Sequence, residues 1–202
     1  MPTIKTIAEI VLDRINGGRS TQDTWDLRTV MHDVGGMRDL YLPNNIRDKF
    51  KDEANGSVPS ELIEQFPNIA IKYNESLARY YSELPSQFVN LPFEMGVWSV
   101  SPMQNQANPY VPVSPAWVST GDPVVYDISH VYWVQKDKIW YGQWEDTGMT
   151  VLMELVPAFT TNPLNEDLEV PSDIAFQIQD ELIKRYSQPM RIDSANDGRN
   201  QG

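Results

Sequence analysis

The spacing of apolar residues changes period twice along the chain, and this bounds the fold more tightly than any other feature. Ile4, Ile7, Ala8, Val11, Leu12 and Ile15 recur at helical spacing and form one apolar stripe. After Phe66-Pro67 the alternation Ile69, Ile71, Tyr73 takes over, the two-residue period of a strand. Beyond Pro171, Ile174, Ile178, Leu182, Ile183 and Tyr186 return to helical spacing behind Ser172, which reads as a helix cap. The pattern predicts an α+β chain with N-terminal helices, a central antiparallel β-meander or sandwich, and a C-terminal helix. Residues 1–66 form the helical region, 67–160 the antiparallel β region, and 161–202 the C-terminal helix and polar tail, all within a single structural unit.

Within the helical region, Asn16-Gly17-Gly18 ends the first helix, because glycine accepts the left-handed conformation of a C-terminus. Ser20-Thr21-Gln22-Asp23 resembles a second helix start, a hydroxyl cap with an acid three residues on. Leu27, Val30, Met31, Val34 and Tyr41 follow as its stripe, interrupted by Gly35-Gly36. Each of these glycines weakens a helix by about 1 kcal/mol against alanine, unless another part of the chain packs close. Pro43 is expected to stop the helix, a third short helix to cover Asn45 to Ala54, and a single turn to start at Pro59-Ser60-Glu61.

In the β region, Asn74-Glu75 is expected to turn the chain into Leu77 to Tyr81. The proline density from Pro85 to Pro123 suits edge strands and long connections. The clearest hairpin joins Val131-Tyr132-Trp133-Val134 to Ile139-Trp140-Tyr141 through Lys136-Asp137. Asp146-Thr147-Gly148 is a further turn, leading into a strand from Met149 to Val156. Pro163 to Pro171 is an acidic connection, and Ile192 to Gly202 is a polar tail or docking arm.

Composition narrows the function classes. At 202 residues the chain suits one domain, and 41% hydrophobic content is ordinary for a globular protein. No apolar run approaches the roughly 20 residues of a membrane-spanning helix. MPTIKTIAEIVLDRI reads as an amphipathic helix rather than a signal peptide. Zero cysteines leave no disulfide framework and no thiolate metal site, consistent with folding in a reducing cytoplasm. The formal net charge is −12, from 16 Lys+Arg against 28 Asp+Glu, with the cations scattered singly or in pairs such as Lys136/Lys138 and Lys184/Arg185. Nucleic-acid grooves need clustered cations, so direct DNA or RNA binding is not expected, and the same charge repels an anionic membrane.

Catalytic signatures are also missing. Without cysteine, and without a G-x-S-x-G elbow, no nucleophile is marked. The two histidines, His32 and His130, lack metal-ligand spacing. Phosphate-cradling glycine motifs do not occur, and Asn165-Glu166-Asp167 and Asn196-Asp197-Gly198 lack the full spacing of a calcium loop. Glu145 and Asp146 sit among Trp140, Tyr141 and Trp144, which is the composition of a sugar cleft and also of an acidic hairpin end over a packed core. The expectation is a chain that is not an enzyme and carries no cofactor. The alternative is a carbohydrate-binding or glycoside-hydrolysing module built on that hairpin.

The positive signal is aromatic. Trp and Tyr are favoured at protein interfaces because one end is apolar and the other bonds to water or a partner. Trp98, Tyr110, Trp117, Trp133, Trp140, Trp144 and Tyr186 are therefore the candidate interface residues, with the Pro109 to Trp117 loop and the termini as candidate contact segments.

The order of segments resembles neck or ring structural proteins of tailed phages, particularly crAss-like and related phages of Bacteroidetes hosts. The matching stretches are S-T-Q-D-T-W-D-L-R-T-V with Arg38 after it, Y-Y-S-E-L-P-S-Q-F-V-N-L-P, G-V-W-S-V-S-P, V-Y-W-V-Q-K-D-K-I-W-Y and V-L-M-E-L-V-P. A capped helix followed by Asn196-Asp197-Gly198 completes the order. The resemblance implies a virion subunit of the head-to-tail connector, made in the host cytoplasm, forming a homo-oligomeric ring through which the genome passes. Its implied partners are the portal and other neck or tail proteins. Gly35-Gly36 departs from the continuous helix expected there. A negative lumen suits this role, since like charges let DNA slide without sticking. A generic adaptor or chaperone is the third reading, separated from the first only by the resemblance.

Overall fold

The computed structural model describes residues 1–17, 25–52, 58–92, 96–114, 130–143, 150–160 and 165–187. Helix α1 spans Ile4–Ile15, as its stripe predicts. Thr3 caps it by accepting the Thr6 N–H at 3.2 Å, and Gly17 follows it at φ 58°. Ile4, Ile7, Ala8 and Val11 are buried along one face.

Helix α2 corrects the reading of two helices separated by Pro43. It runs unbroken from Leu27–Asp52, through Gly35, Gly36 and Pro43. A proline inside a helix removes one backbone bond and crowds the preceding turn. Packing outweighs that cost here, because Val30, Val34, Leu42 and Ile46 on both sides of Pro43 are fully buried in one core. Gly35 also has a packing role: a Cβ there would lie 2.2 Å from Cγ of Phe159, so the ring seats directly on the helix backbone. Gly36 meets nothing within 4 Å. Ser20 to Asp23, read as a helix start, lies outside the described residues.

A short 3-10 turn at Ser60–Leu62 leads into eight strands. They are β1 (Glu64–Ala70), β2 (Lys72–Asn74), β3 (Arg79–Glu83), β4 (Val97–Pro102), β5 (Val111–Pro112), β6 (Val131–Gln135), β7 (Lys138–Tyr141) and β8 (Thr150–Leu155). Helix α3 covers Ser172–Ser187. Ser172 is its first residue, since Ala175 N–H already donates to the Pro171 carbonyl at 2.8 Å.

The strands form two sheets, ordered β1-β8-β4 and β2-β3-β7-β6-β5. The chain passes from one to the other at buried Ile71, between β1 and β2. The β6–β7 hairpin falls where the sequence placed it, whereas Leu77 and Ala78 belong to the β2–β3 turn and the strand expected from Leu77 to Tyr81 begins at Arg79. Gln135 pairs with Lys138 across a two-residue turn, and Lys136 takes the positive φ of 59° such turns require. At the β2–β3 turn, Asn74 Oδ1 accepts the Leu77 N–H at 3.0 Å. The long-range pairings replace a simple meander with a sandwich: β8 lies between β1 and β4, and β5 runs parallel to β6.

Two cores result. Val97, Val100, Tyr132, Ile139, Tyr141, Val151, Met153 and Leu155 fill the space between the sheets. The helices share the other core with Val89, Leu91 and Val156. Strand β8 links them, since Leu155 points into the first core and Val156 into the second. The N-terminal segment closes the helical layer: Ile4 N–H donates to Leu168 C=O at 3.0 Å and Val170 N–H to Pro2 C=O at 2.9 Å. Among the described residues no helix is long and apolar enough to cross a membrane.

The neighbouring glycines of α2 are expected to respond oppositely to alanine. Gly35→Ala should destabilise by about 1–3 kcal/mol through overpacking against Phe159. Gly36→Ala should stabilise by about 0.5–1 kcal/mol through helix propensity alone. Urea unfolding of the two variants measures both.

Candidate functional site

Two regions concentrate polar or aromatic side chains with unusual surroundings: a clamp around Arg38, and the strands bearing the predicted interface residues. Arg38 falls on the apolar stripe of α2, four residues from both Val34 and Leu42, and is 1% exposed. Its Nε donates to Glu169 C=O at 2.9 Å, and its Nη1 donates to Pro157 C=O at 3.0 Å and to Asp39 Oδ1 at 2.7 Å. Asp39 Oδ2 in turn accepts the Phe159 N–H at 2.7 Å. Two adjacent side chains thus read the backbone of the segment leaving β8 as another strand would. Burial pulls the Arg38 pKa below its ordinary value while Asp39 opposes it; burial raises the Asp39 pKa against the pull of Arg38 and the Phe159 N–H. Desolvation leads for both groups, so the pair fixes position more than it adds net stability.

The second helix contact centres on Asp33. Tyr186 O–H donates to Asp33 Oδ2 at 2.8 Å, Arg185 approaches the same oxygen at 3.3 Å, and the Tyr186 ring packs on Trp25 at 4.3 Å between centroids. Further along, Tyr41 donates to Glu181 and Asn45 bonds Asp173. Burial first, then the bond to Asp33, pushes the Tyr186 pKa up to about 12.

Of the predicted interface residues, four are interior. Tyr110 is buried between Tyr141 and His130, at ring centroid distances of 5.4 and 5.6 Å. Trp133 and Trp140 are register partners on the sheet face turned away from the shared core, and both are buried. Tyr186 is buried between α2 and α3. In this chain these rings are packing residues, because a large half-apolar ring gains most when it is covered. Trp117 and Trp144 lie outside the described residues, as do Glu145 and Asp146.

Trp98 is the one described member that reaches solvent, at 39% exposure. The reason is a bulge. Val97 pairs with Leu155 and Ser99 with Glu154, so Trp98 is an extra residue on edge strand β4. A bulge re-aims its side chain and interrupts the ladder. The opposite edge strand, β1, also bulges, with Pro67-Asn68 facing Leu152 between the Phe66 and Ile69 pairings and Asn68 at φ 61°. The other large apolar side chains in solvent among the described residues are Met1, Tyr73 on β2, Leu77 in the β2–β3 turn, Val111 on β5, and Leu40 and Phe176 on α2 and α3.

His32 is exposed and meets Phe159 edge-on at 5.9 Å, and His130 stacks on Tyr110. Among the described residues no group of three His, Asp or Glu side chains is placed to hold a metal ion. Trp140 and Tyr141, two of the three aromatics beside Glu145 and Asp146 in sequence, are buried, and Trp144 lies outside the described residues.

Replacing Arg38 with Met is expected to cost about 3–5 kcal/mol, since Asp39 is left as an uncompensated buried charge. Thermal and urea unfolding measure it. Tyr186 gives a pH signature: its folded pKa lies above the ordinary value of about 10, so its contribution is complete below pH 10 and is lost as pH rises toward 12. Tyr186→Phe should lower stability by about 1 kcal/mol at neutral pH and flatten that alkaline loss. No protein-family model matches the chain, and no curated protein matches its sequence.

Proposed function

We propose that the chain is a structural subunit of a tailed-phage head-to-tail connector, acting through protein contacts in an oligomeric ring. The observation that carries this reading is where the large apolar side chains remain in solvent. Trp98, Val111, Tyr73 and Leu77 stand on the strand layer, at 39%, 49%, 50% and 57% exposure, whereas Leu40 and Phe176 stand on the helical layer, at 66% and 71%. Exposed apolar groups on different elements supply more than one contact surface, and a ring of identical subunits needs two unlike surfaces that meet head to tail.

The resemblance of the ordered segments to neck and ring proteins supplies the setting. Portal and other neck or tail proteins are the partners it suggests, and the virion the location. The formal charge of −12 suits a subunit that lines a DNA passage without holding DNA. The sugar-cleft reading is weaker because two of its aromatic residues, Trp140 and Tyr141, are buried.

Mass measurement of the chain alone and mixed with a candidate portal tests the proposal, with electron microscopy of any complex. The expected result is a closed ring on the portal, weakened by at least tenfold in Trp98→Glu or Phe176→Glu, since a charge at a contact centre must be desolvated. A chain that stays monomeric with portal in excess, or that hydrolyses a glycan, would sink it.

A further inference from the structure

The five-stranded sheet presents one face to the shared core and carries cations on the other. Lys72 pairs in register with Tyr81, Tyr81 with Trp140, and Trp140 with Trp133. Over this row the Arg79 guanidinium stands 5.2 Å from the Trp133 ring centre, and the Lys138 ammonium 4.6 Å from that of Tyr81. Neither cation forms an ion pair with any described residue. Lys72 is held by Glu83 at 2.9 Å. Among the described residues, three cations against one carboxylate make this face locally positive on a chain whose net charge is −12. The buried tryptophans hold the cations in place rather than offering a stacking platform.

Beside the Arg38 clamp lies a surface of opposite character. A cleft of about 320 Å³ is lined by Glu61, Glu64, Asp167 and Glu169 over an apolar floor that includes Leu62 and Leu168. Its one lining cation, Arg38, is already engaged by Asp39 and two carbonyls. One oxygen of Glu169 is buried without a hydrogen-bond partner.

We propose that these surfaces are the two halves of one head-to-tail contact, in which the Lys72/Arg79/Lys138 face of one copy receives the acid-lined cleft of the next. Two acidic chains repel at long range, but salt limits that repulsion to about 8–10 Å, so association is decided by local complementarity. The occupant is another copy of this chain because it carries both the surplus of carboxylates and the face that attracts them. Unlike surfaces on one chain also propagate, and a propagating contact closes into a ring when its rotation allows. The contact rests on the connector reading above and adds the surfaces by which subunits meet.

Two double reversals test it: Lys72→Glu with Arg79→Glu, and Glu61→Lys with Glu64→Lys. All four side chains are exposed, so circular dichroism should match the native chain. Mass photometry and sedimentation follow assembly at low and high salt, with and without portal. The native chain is expected to oligomerise, with association weakened roughly tenfold or more by either reversal and by high salt. Mixing the two variants leaves two compatible contacts, native face to native cleft and reversed face to reversed cleft, so alternating copies should recover the larger assemblies that neither variant forms alone. Combining all four reversals in one chain should restore the larger assemblies. Native assembly with both reversals tolerated overturns this contact and leaves the connector reading standing. A native chain that remains monomeric with portal overturns both.

Discussion

Helix α2 is held to the rest of the molecule by a guanidinium that water scarcely reaches. Arg38 and Asp39 together satisfy two carbonyls and one N–H of segments more than a hundred residues away in sequence. Such groups need partners wherever they are buried, and a short charged pair supplies them where no strand can. The position of Phe159 over Gly35 follows from the same bonds, since Phe159 N–H is one of those held. A long helix containing two glycines and a proline is therefore kept by what packs on it, rather than by its own propensity.

The two cores depend on β8 in a complementary way. Its Val151, Met153 and Leu155 serve the sandwich, and the next residue, Val156, serves the helices. Both strands flanking β8 are bulged, so the regular central strand sets the register while its neighbours bend away from it. Bulges and prolines also keep the exposed edges from extending the sheet indiscriminately. Among the described residues, what remains outside is a sparse set of apolar side chains and a few charged faces.

Local order was legible in the sequence and distant order was not. Helix α1 ends where Asn16-Gly17 signals it, and the β6–β7 hairpin turns at Lys136-Asp137, because spacing and turn chemistry act over a few residues. Pro43 misled, because burial of Leu42 and Ile46 depends on residues far along the chain. The sandwiching of β8 between β1 and β4 has no short-range signature, nor does the parallel β5–β6 pair. Aromatic content pointed to an interface, yet Tyr110, Trp133, Trp140 and Tyr186 are interior; composition cannot tell a covered ring from an open one. Arg38 left a faint trace, an arginine on an apolar stripe, which a reading centred on aromatics passes over.

The pairing of Pro2 and Thr3 with Glu169 and Val170 bears on the order of events during synthesis. Helix α1 is made before the 166–170 segment that supplies its backbone cap and before α3, on which it packs. Closing so wide a loop is slow and entropically costly, so the helical layer must assemble last, after the sheets are able to form. Until α3 has been made, the apolar stripe of α1 therefore stays partly uncovered, and the helical layer closes only once both segments are present.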